Sequence, residues 1–484
     1  MTEKKEGSMK TGNTLKKMLA AACAATLIIC MSGCGSQDAA DTSSDAGEVK
    51  YLSKEDITVS KEISSDQDGE HAIEVSGETK EYSNAGVTKT GDADGDEADF
   101  YGENSAVFAT EKGTLTIKDS LIETGGKHAN AVFSYGEGTT VDISDSVIET
   151  QGDCSGGLMT TGGGTTNADN LTINTSGRSS AAIRSDRGGG TVNVTKGYYK
   201  TTGTGSPVIY STADISVSDA YMESTASQGV VVEGKNSVTL KDVTMLADNN
   251  KKNSDKSDHY QAVMIYQSMS GDADEGTSSF TASGSTITNR NGDVFFVNNT
   301  ATKISLTDNT ITNEDGDGVF LRAAAAGWGS EGSNGGKVEL TASKQTIDGN
   351  ILVDELSALN LYLKDSSEFT GAVNPDGQTG DVFVGIEDGS TWKLTADSYI
   401  SSLSVGKGSA VDLNGHKLYV DGSEYEAGSA SDGEAFEIKT ESSGGGPGEK
   451  PGDGQAPPDG GQGGPGGPDG APPDGEPPAK PDDQ

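Results

Sequence analysis

Ala106-Val107-Phe108, followed by Gly113-Thr114-Leu115-Thr116-Ile117 and then Ser120-Leu121-Ile122-Glu123-Thr124, is a phrase that the chain repeats. The same order returns as Ala131-Val132-Phe133, Thr140-Val141-Asp142-Ile143 and Ser146-Val147-Ile148-Glu149-Thr150. A third copy opens Gly157-Leu158-Met159 and carries Leu171-Thr172-Ile173; a fourth opens Ala181-Ala182-Ile183 and carries Thr191-Val192-Asn193-Val194. The period is about 25 residues, within the range that marks solenoids and arrays.

Inside each copy, apolar residues alternate with Thr, Asp, Asn or Ser, the period of a strand with one buried face. Three short alternating pieces per copy, parted by Gly, Asp and Asn turns, give one coil of three strands. A single coil cannot bury its inward Val, Ile, Leu and Phe, whereas stacked coils bury them in one continuous column. Equivalent strands then pair in parallel, about 4.8 Å apart. The predicted fold is all-β, a right-handed parallel β-helix with three sheets. The coil is too long for the left-handed hexapeptide type.

Composition alone suggests disorder but is compatible with such a fold. The 484 residues are 32% hydrophobic and 5% aromatic with 68 glycines, and mean hydropathy is −0.50. An ordinary globular core needs more apolar material, but a solenoid core is one side chain thick and needs its few apolar residues in register. Net charge is −40 with a pI near 4.3. Phosphate backbones are bound by Lys and Arg, so nucleic acid is excluded as a partner. Acidic polysaccharides would be repelled unless divalent cations bridged them.

Lys10, Lys16 and Lys17 precede an apolar run from Met18 to Met31, which ends in Ser32-Gly33-Cys34. A basic region, a short apolar core and small residues describe a secretory signal over residues 1–33, too short to span a bilayer. Met9 is an alternative start. The cysteine after Ser-Gly resembles a bacterial lipobox, with Met31 where Leu is usual, and the resemblance implies that Cys34 becomes the lipidated first residue. The expected location is therefore extracytoplasmic, with a lipid anchor in the membrane. Removing the +3 carried by residues 1–33 from −40 leaves −43 on the mature chain. Residues 34–50, rich in Ser, Asp, Ala and Gly, form a flexible tether, and 51–105 are expected to hold an N-terminal cap and the first coil.

Residues 106–440 are assigned to the β-helix. Coils recur at Pro207-Val208-Ile209, Val230-Val231-Val232, Asp293-Val294-Phe295-Phe296-Val297, Gly318-Val319-Phe320-Leu321 and Asp381-Val382-Phe383-Val384. Three insertions interrupt them: 247–261 with Lys251, Lys252 and Lys256, an acidic polar stretch at 268–279, and 323–336 with Trp328. Insertions in repeat proteins map to loops on one face, often the binding face. The closing coils, Thr391-Trp392-Lys393-Leu394 and Val411-Asp412-Leu413-Asn414-Gly415-His416, resemble the end of autotransporter-type β-helix passengers. The coils from 106 to 420 are similar to adhesin-like bacterial surface proteins. That resemblance implies a cell-surface adhesin or glycan-binding role; no C-terminal membrane barrel accompanies it. Eleven of the 13 prolines lie at Pro447 or beyond, so 441–484 is expected to be a disordered Gly/Pro/Asp-rich tail.

Chemistry-bearing patterns are sparse. Asp92, Asp94, Asp96 and Asp99 alternate as calcium ligands do, although glycine and glutamate miss the EF-hand positions, and calcium is the one cofactor they suggest. Glu314-Asp315-Gly316-Asp317 and Asp272-Ala273-Asp274-Glu275 are weaker versions. Many β-helices are polysaccharide lyases or hydrolases, but the polygalacturonase signatures are absent and the one Asp-Asp pair, Asp482-Asp483, lies in the tail. His71, His128, His259 and His416 are scattered, and Arg184 and Arg322 read as surface charges without acidic partners. No catalytic residue is assigned. Cys154 reads as a small apolar residue at a turn, and Tyr198, Tyr199 and Tyr221 as intercoil stacking. Asn289, Asn309 and Asn313 suggest internal amide ladders. Trp328, set among glycines, is the candidate ligand platform, for a sugar ring or partner protein, if it does not fold onto the flank. The expectation is a surface binding module; an enzyme of the β-helix class or a plain stalk are the alternatives.

Overall fold

Each coil is closed by single residues in the left-handed region. Asn84, Asp119, Asp145, Asn170, Asp219, Asp242 and Asp308, at φ between 47° and 55°, occupy one bend of successive coils. Asn and Asp tolerate this conformation as isolated residues, so the chain turns sharply and resumes as a strand. The computed structural model describes residues 50–438 apart from Asp317 and Thr379. Cys34 and the tail from 441 lie outside the described residues.

The strands between bends stack in parallel, and the architecture is the parallel β-helix that the repeat predicts. One face is an eleven-strand ladder that starts at Ile73–Ser76 and Val107–Thr110 and ends at Asn350–Val353. At the parallel spacing its ten gaps extend about 48 Å. The other two faces are joined into one 21-strand sheet because Gly164–Thr175 and Gly190–Thr201 run unbroken through the bends at Asn170 and Lys196. A four-strand sheet from Thr346–Asp348 to Ala410–Asp412 stands near the C-terminal end. Register is kept residue for residue: Leu115 lies beside Val141, and Ile122 beside Ile148, which lies beside Ile173. These side chains point inward and are buried. Residues 61–89 already hold four strands in register with later coils.

Stacked polar side chains satisfy the coil corners. Ser155 Oγ accepts from Ala129 N, Ser180 Oγ from Ser155 N, and Ser206 Oγ from Ser180 N, all at 2.9 Å. At a neighbouring corner Gly126, Gly152, Gly177 and Gly203 stack so closely that a Cβ on any of them would lie 2.0 Å or less from the carbonyl oxygen one coil below. Only glycine fits there. Asn289 Nδ2 donates to Asn313 Oδ1 at 3.0 Å, and Asn309 Nδ2 to Gln345 Oε1 at 3.0 Å, so the amides do form ladders, in two columns. Tyr199 points into the core, whereas Tyr198 and Tyr221 stack outside at 5.4 Å. Tyr51 packs on that pair, and Lys54 reaches Glu123 at 2.7 Å, so the entering segment runs back across several coils. Trp392 is buried on Phe369 and donates to Gly371 O at 3.0 Å. Among the described residues no helix is long and apolar enough to cross a membrane.

Candidate functional site

Between its first strand and its last two, the eleven-strand face is buried on both sides. Its inward residues feed the core, and its outward row runs in register through Phe108, Phe133, Met159, Arg184 and Tyr210 to Val231, Met264 and Phe296. Every one of these is buried. An apolar row on the outside of a sheet must be covered, and four excursions of the chain cover it. They are 90–105, with a short helix Asp96–Phe100, and 248–260, 267–276 and 324–336. Gly327 N donates to Lys256 O at 2.7 Å and links two of them.

Charged groups are trapped beneath this cover. Arg184 is 3% exposed; its Nη1 donates to Asp99 Oδ1 at 3.1 Å, and its Nη2 and Nε donate to Asp186 Oδ2 at 2.7 and 3.2 Å. Arg322 likewise donates to both Asp293 oxygens, at 2.6 and 3.2 Å. Both arginines leave the sheet outward, but Asp99 from the 90–105 excursion and Asp186 pair with the buried Arg184, and Asp293 of a neighbouring strand pairs with the partly buried Arg322, so neither is the unpartnered surface charge expected from sequence. Burial opposes ionisation of Asp99, yet Arg184 and His128 outweigh it and hold its carboxyl at about 2. Burial pushes Asp186 up to about 7 against the pull of Arg184. His128 would be lowered by burial, but Asp99 and Cys154 raise it to about 9. Further along, Glu233 Oε2 accepts from Tyr210 and, at 2.9 Å, from Tyr266, while Oε1 accepts from Ser268 N at 3.2 Å. Burial raises the Glu233 carboxyl, and these donors work the other way.

The four aspartates suggested for calcium do not converge. Asp92 Oδ1 accepts from Lys127 N at 2.7 Å, and Asp94 pairs with the Lys127 ammonium. Asp96 pairs with Arg187 at 2.7 Å, and Asp99 turns inward to Arg184. In the weaker acidic runs Asp272 pairs with Arg187, Asp274 with Lys235, and Glu314 with Arg290. Asp317 lies outside the described residues.

Trp328 is 2% exposed and is no open platform. It packs edge-on against Tyr266 at 5.3 Å and joins Val231, Met264 and Phe296, because the outward row needs an apolar lid there. Beside it is a cleft of about 40 Å³ between 248–260 and 324–336. Asn253 Oδ1, Gln261 Oε1 and Trp328 Nε1 are buried along this cleft and have no hydrogen-bond partner. Lys251, Lys252 and His259 also line it, and Lys256 Nζ stands 6.0 Å over the indole. Lys252 is paired with Asp255 and Asp258.

Comparison with known proteins identifies no relative: no protein-family model matches the chain, and neither a curated protein nor a solved structure matches it.

The Arg184 and Glu233 networks escaped the sequence reading. The available signal was the unbroken apolar text of Val230-Val231-Val232 and Val294-Phe295-Phe296-Val297, which means burial on both faces. A charge aligned with that row must then be buried and paired.

Proposed function

We propose that this chain is displayed outside the cell on a lipid at Cys34 and binds carbohydrate through the cleft beside Trp328. One observation carries the reading: a buried donor, Trp328 Nε1, and two buried acceptors, Asn253 Oδ1 and Gln261 Oε1, meet at that cleft without partners. Buried polar groups left unpaired are costly, and a sugar's neighbouring hydroxyls both donate and accept, which suits this mixed set. The reading is of binding rather than catalysis, since the carboxyls that burial raises, Asp186, Glu233 and Asp293, are each closed off from solvent.

The test is a glycan array probed with the full chain, with and without calcium, followed by titration of any retained glycan. Trp328→Phe removes the indole N–H with the five-membered ring that carries it, and Asn253→Ala removes only the amide; each is expected to weaken binding about tenfold or more, one good hydrogen bond being worth about tenfold. An array with no retained glycan defeats the binding reading. Retention that both variants leave unchanged defeats the cleft as its site.

A further inference from the structure

We infer that Asp99, His128 and Cys154 form a binding site for a late first-row divalent metal ion, zinc being the best fit. The carboxylate oxygen, imidazole nitrogen and thiol sulfur lie within 4.8 Å of one another, in residues only 2–3% exposed. His128 and Cys154 hold the same left-handed corner of successive coils, at φ 53° and 54°, so the stacking of the coils places one donor above the other. His128 N donates to Asp153 O, and Cys154 N to Arg178 O, which fixes that stacking. Asp99 comes from elsewhere, on the short helix of the 90–105 excursion.

A second observation points to a ligand. His128 Nδ1 is buried without a hydrogen-bond partner and stands 3.6 Å from Asp99 Oδ1, inside the cluster. An imidazole nitrogen that makes no hydrogen bond, within ion-pair range of a carboxylate and beside a thiol, belongs to a donor set that one metal ion can share.

The donor types select the ion. Sulfur and imidazole nitrogen with one carboxylate suit zinc and its neighbours, whereas calcium and magnesium take oxygen. Tetrahedral zinc sets its ligand atoms about 3.5 Å apart, so the three would draw in by up to about 1 Å. Charge also balances: thiolate and carboxylate together carry −2, the thiol proton and the imidazolium proton of His128 both being released on binding. Arg184 has its own counter-ion in Asp186 at 2.7 Å and steadies Asp99 from outside. Three protein ligands leave a fourth position open.

The experiment uses the full, untagged, reduced chain, with zinc or cobalt(II) supplied both to the native protein and during refolding, so that slow entry cannot hide a site. Expected are one tightly held zinc per chain and, with cobalt, a near-ultraviolet thiolate charge-transfer band with the intense visible bands of tetrahedral coordination. Cys154→Ser abolishes the charge-transfer band; Ser179 occupies the same corner one coil on, so serine is accommodated. His128→Asn, which tolerates the left-handed corner, weakens zinc binding by about 100-fold, since losing even an outer-shell partner costs 10–100-fold. Absence of stoichiometric metal in both preparations overturns the proposal, as does a Cys154→Ser variant that holds zinc as tightly as the parent.

Discussion

Phe295→Ala is expected to cost about 3–5 kcal/mol, the range for deleting a buried aromatic side chain and leaving its cavity. Phe295 is fully buried and packs edge-on against Phe280 at 5.5 Å and against Phe320 at 5.5 Å. With a core one side chain thick, no second layer can relax into the hole. Because each coil touches mainly its neighbours, the damage should stay local. Hydrogen exchange is expected to rise across 261–323 while 106–185 keep their protection. Uniform loss along the whole chain, or no loss, would contradict the stacking of Phe295 in the inner column.

Arg184→Met is expected to cost a similar amount, about 3–5 kcal/mol, for a different reason. It leaves Asp99 and Asp186 buried without their shared cation, and breaking a buried ion pair from one side is far worse than replacing it whole. Adding Asp99→Asn and Asp186→Asn to Arg184→Met should therefore recover most of the loss. Arg184→Lys should not, because an ammonium cannot reproduce the guanidinium's simultaneous reach to both acids. Thermal unfolding measures the first effect. Limited proteolysis of 90–105, whose only buried acid on the helix is Asp99, shows where the structure opens.

The coils were legible because their signal is periodic and local. Leu115-Thr116-Ile117 and Val141-Asp142-Ile143 announce a strand with one buried face, and their spacing announces the stack. What the excursions do was not legible, because nothing periodic places Asp99 beside Arg184, 85 residues away, or Trp328 over Met264. Those contacts follow from the outward row of the eleven-strand face, whose apolar side chains need covering. Trp328, set among glycines, could stand open or fold onto the flank; it is buried because Val231, Met264 and Phe296 lie beneath it. The aspartates from Asp92 to Asp99 looked like one set because they alternate, yet the turn and helix at 90–105 send them to different cations. His128 and Cys154 are 26 positions apart, about one coil, and the repeat places them together once the corner residues are aligned.

The outward row therefore decides where this molecule carries chemistry. The inner column makes a uniform solenoid, and the covered flank concentrates the buried charges, the cleft and the sulfur–imidazole–carboxylate cluster. The most direct measurement of that claim uses the chain's two tryptophans. With Trp392→Phe, Trp328 becomes the only indole, and its fluorescence reports whether the 324–336 excursion closes on the sheet. The account predicts blue-shifted emission that iodide barely quenches, in keeping with 2% exposure. Emission and iodide quenching typical of free tryptophan would contradict it.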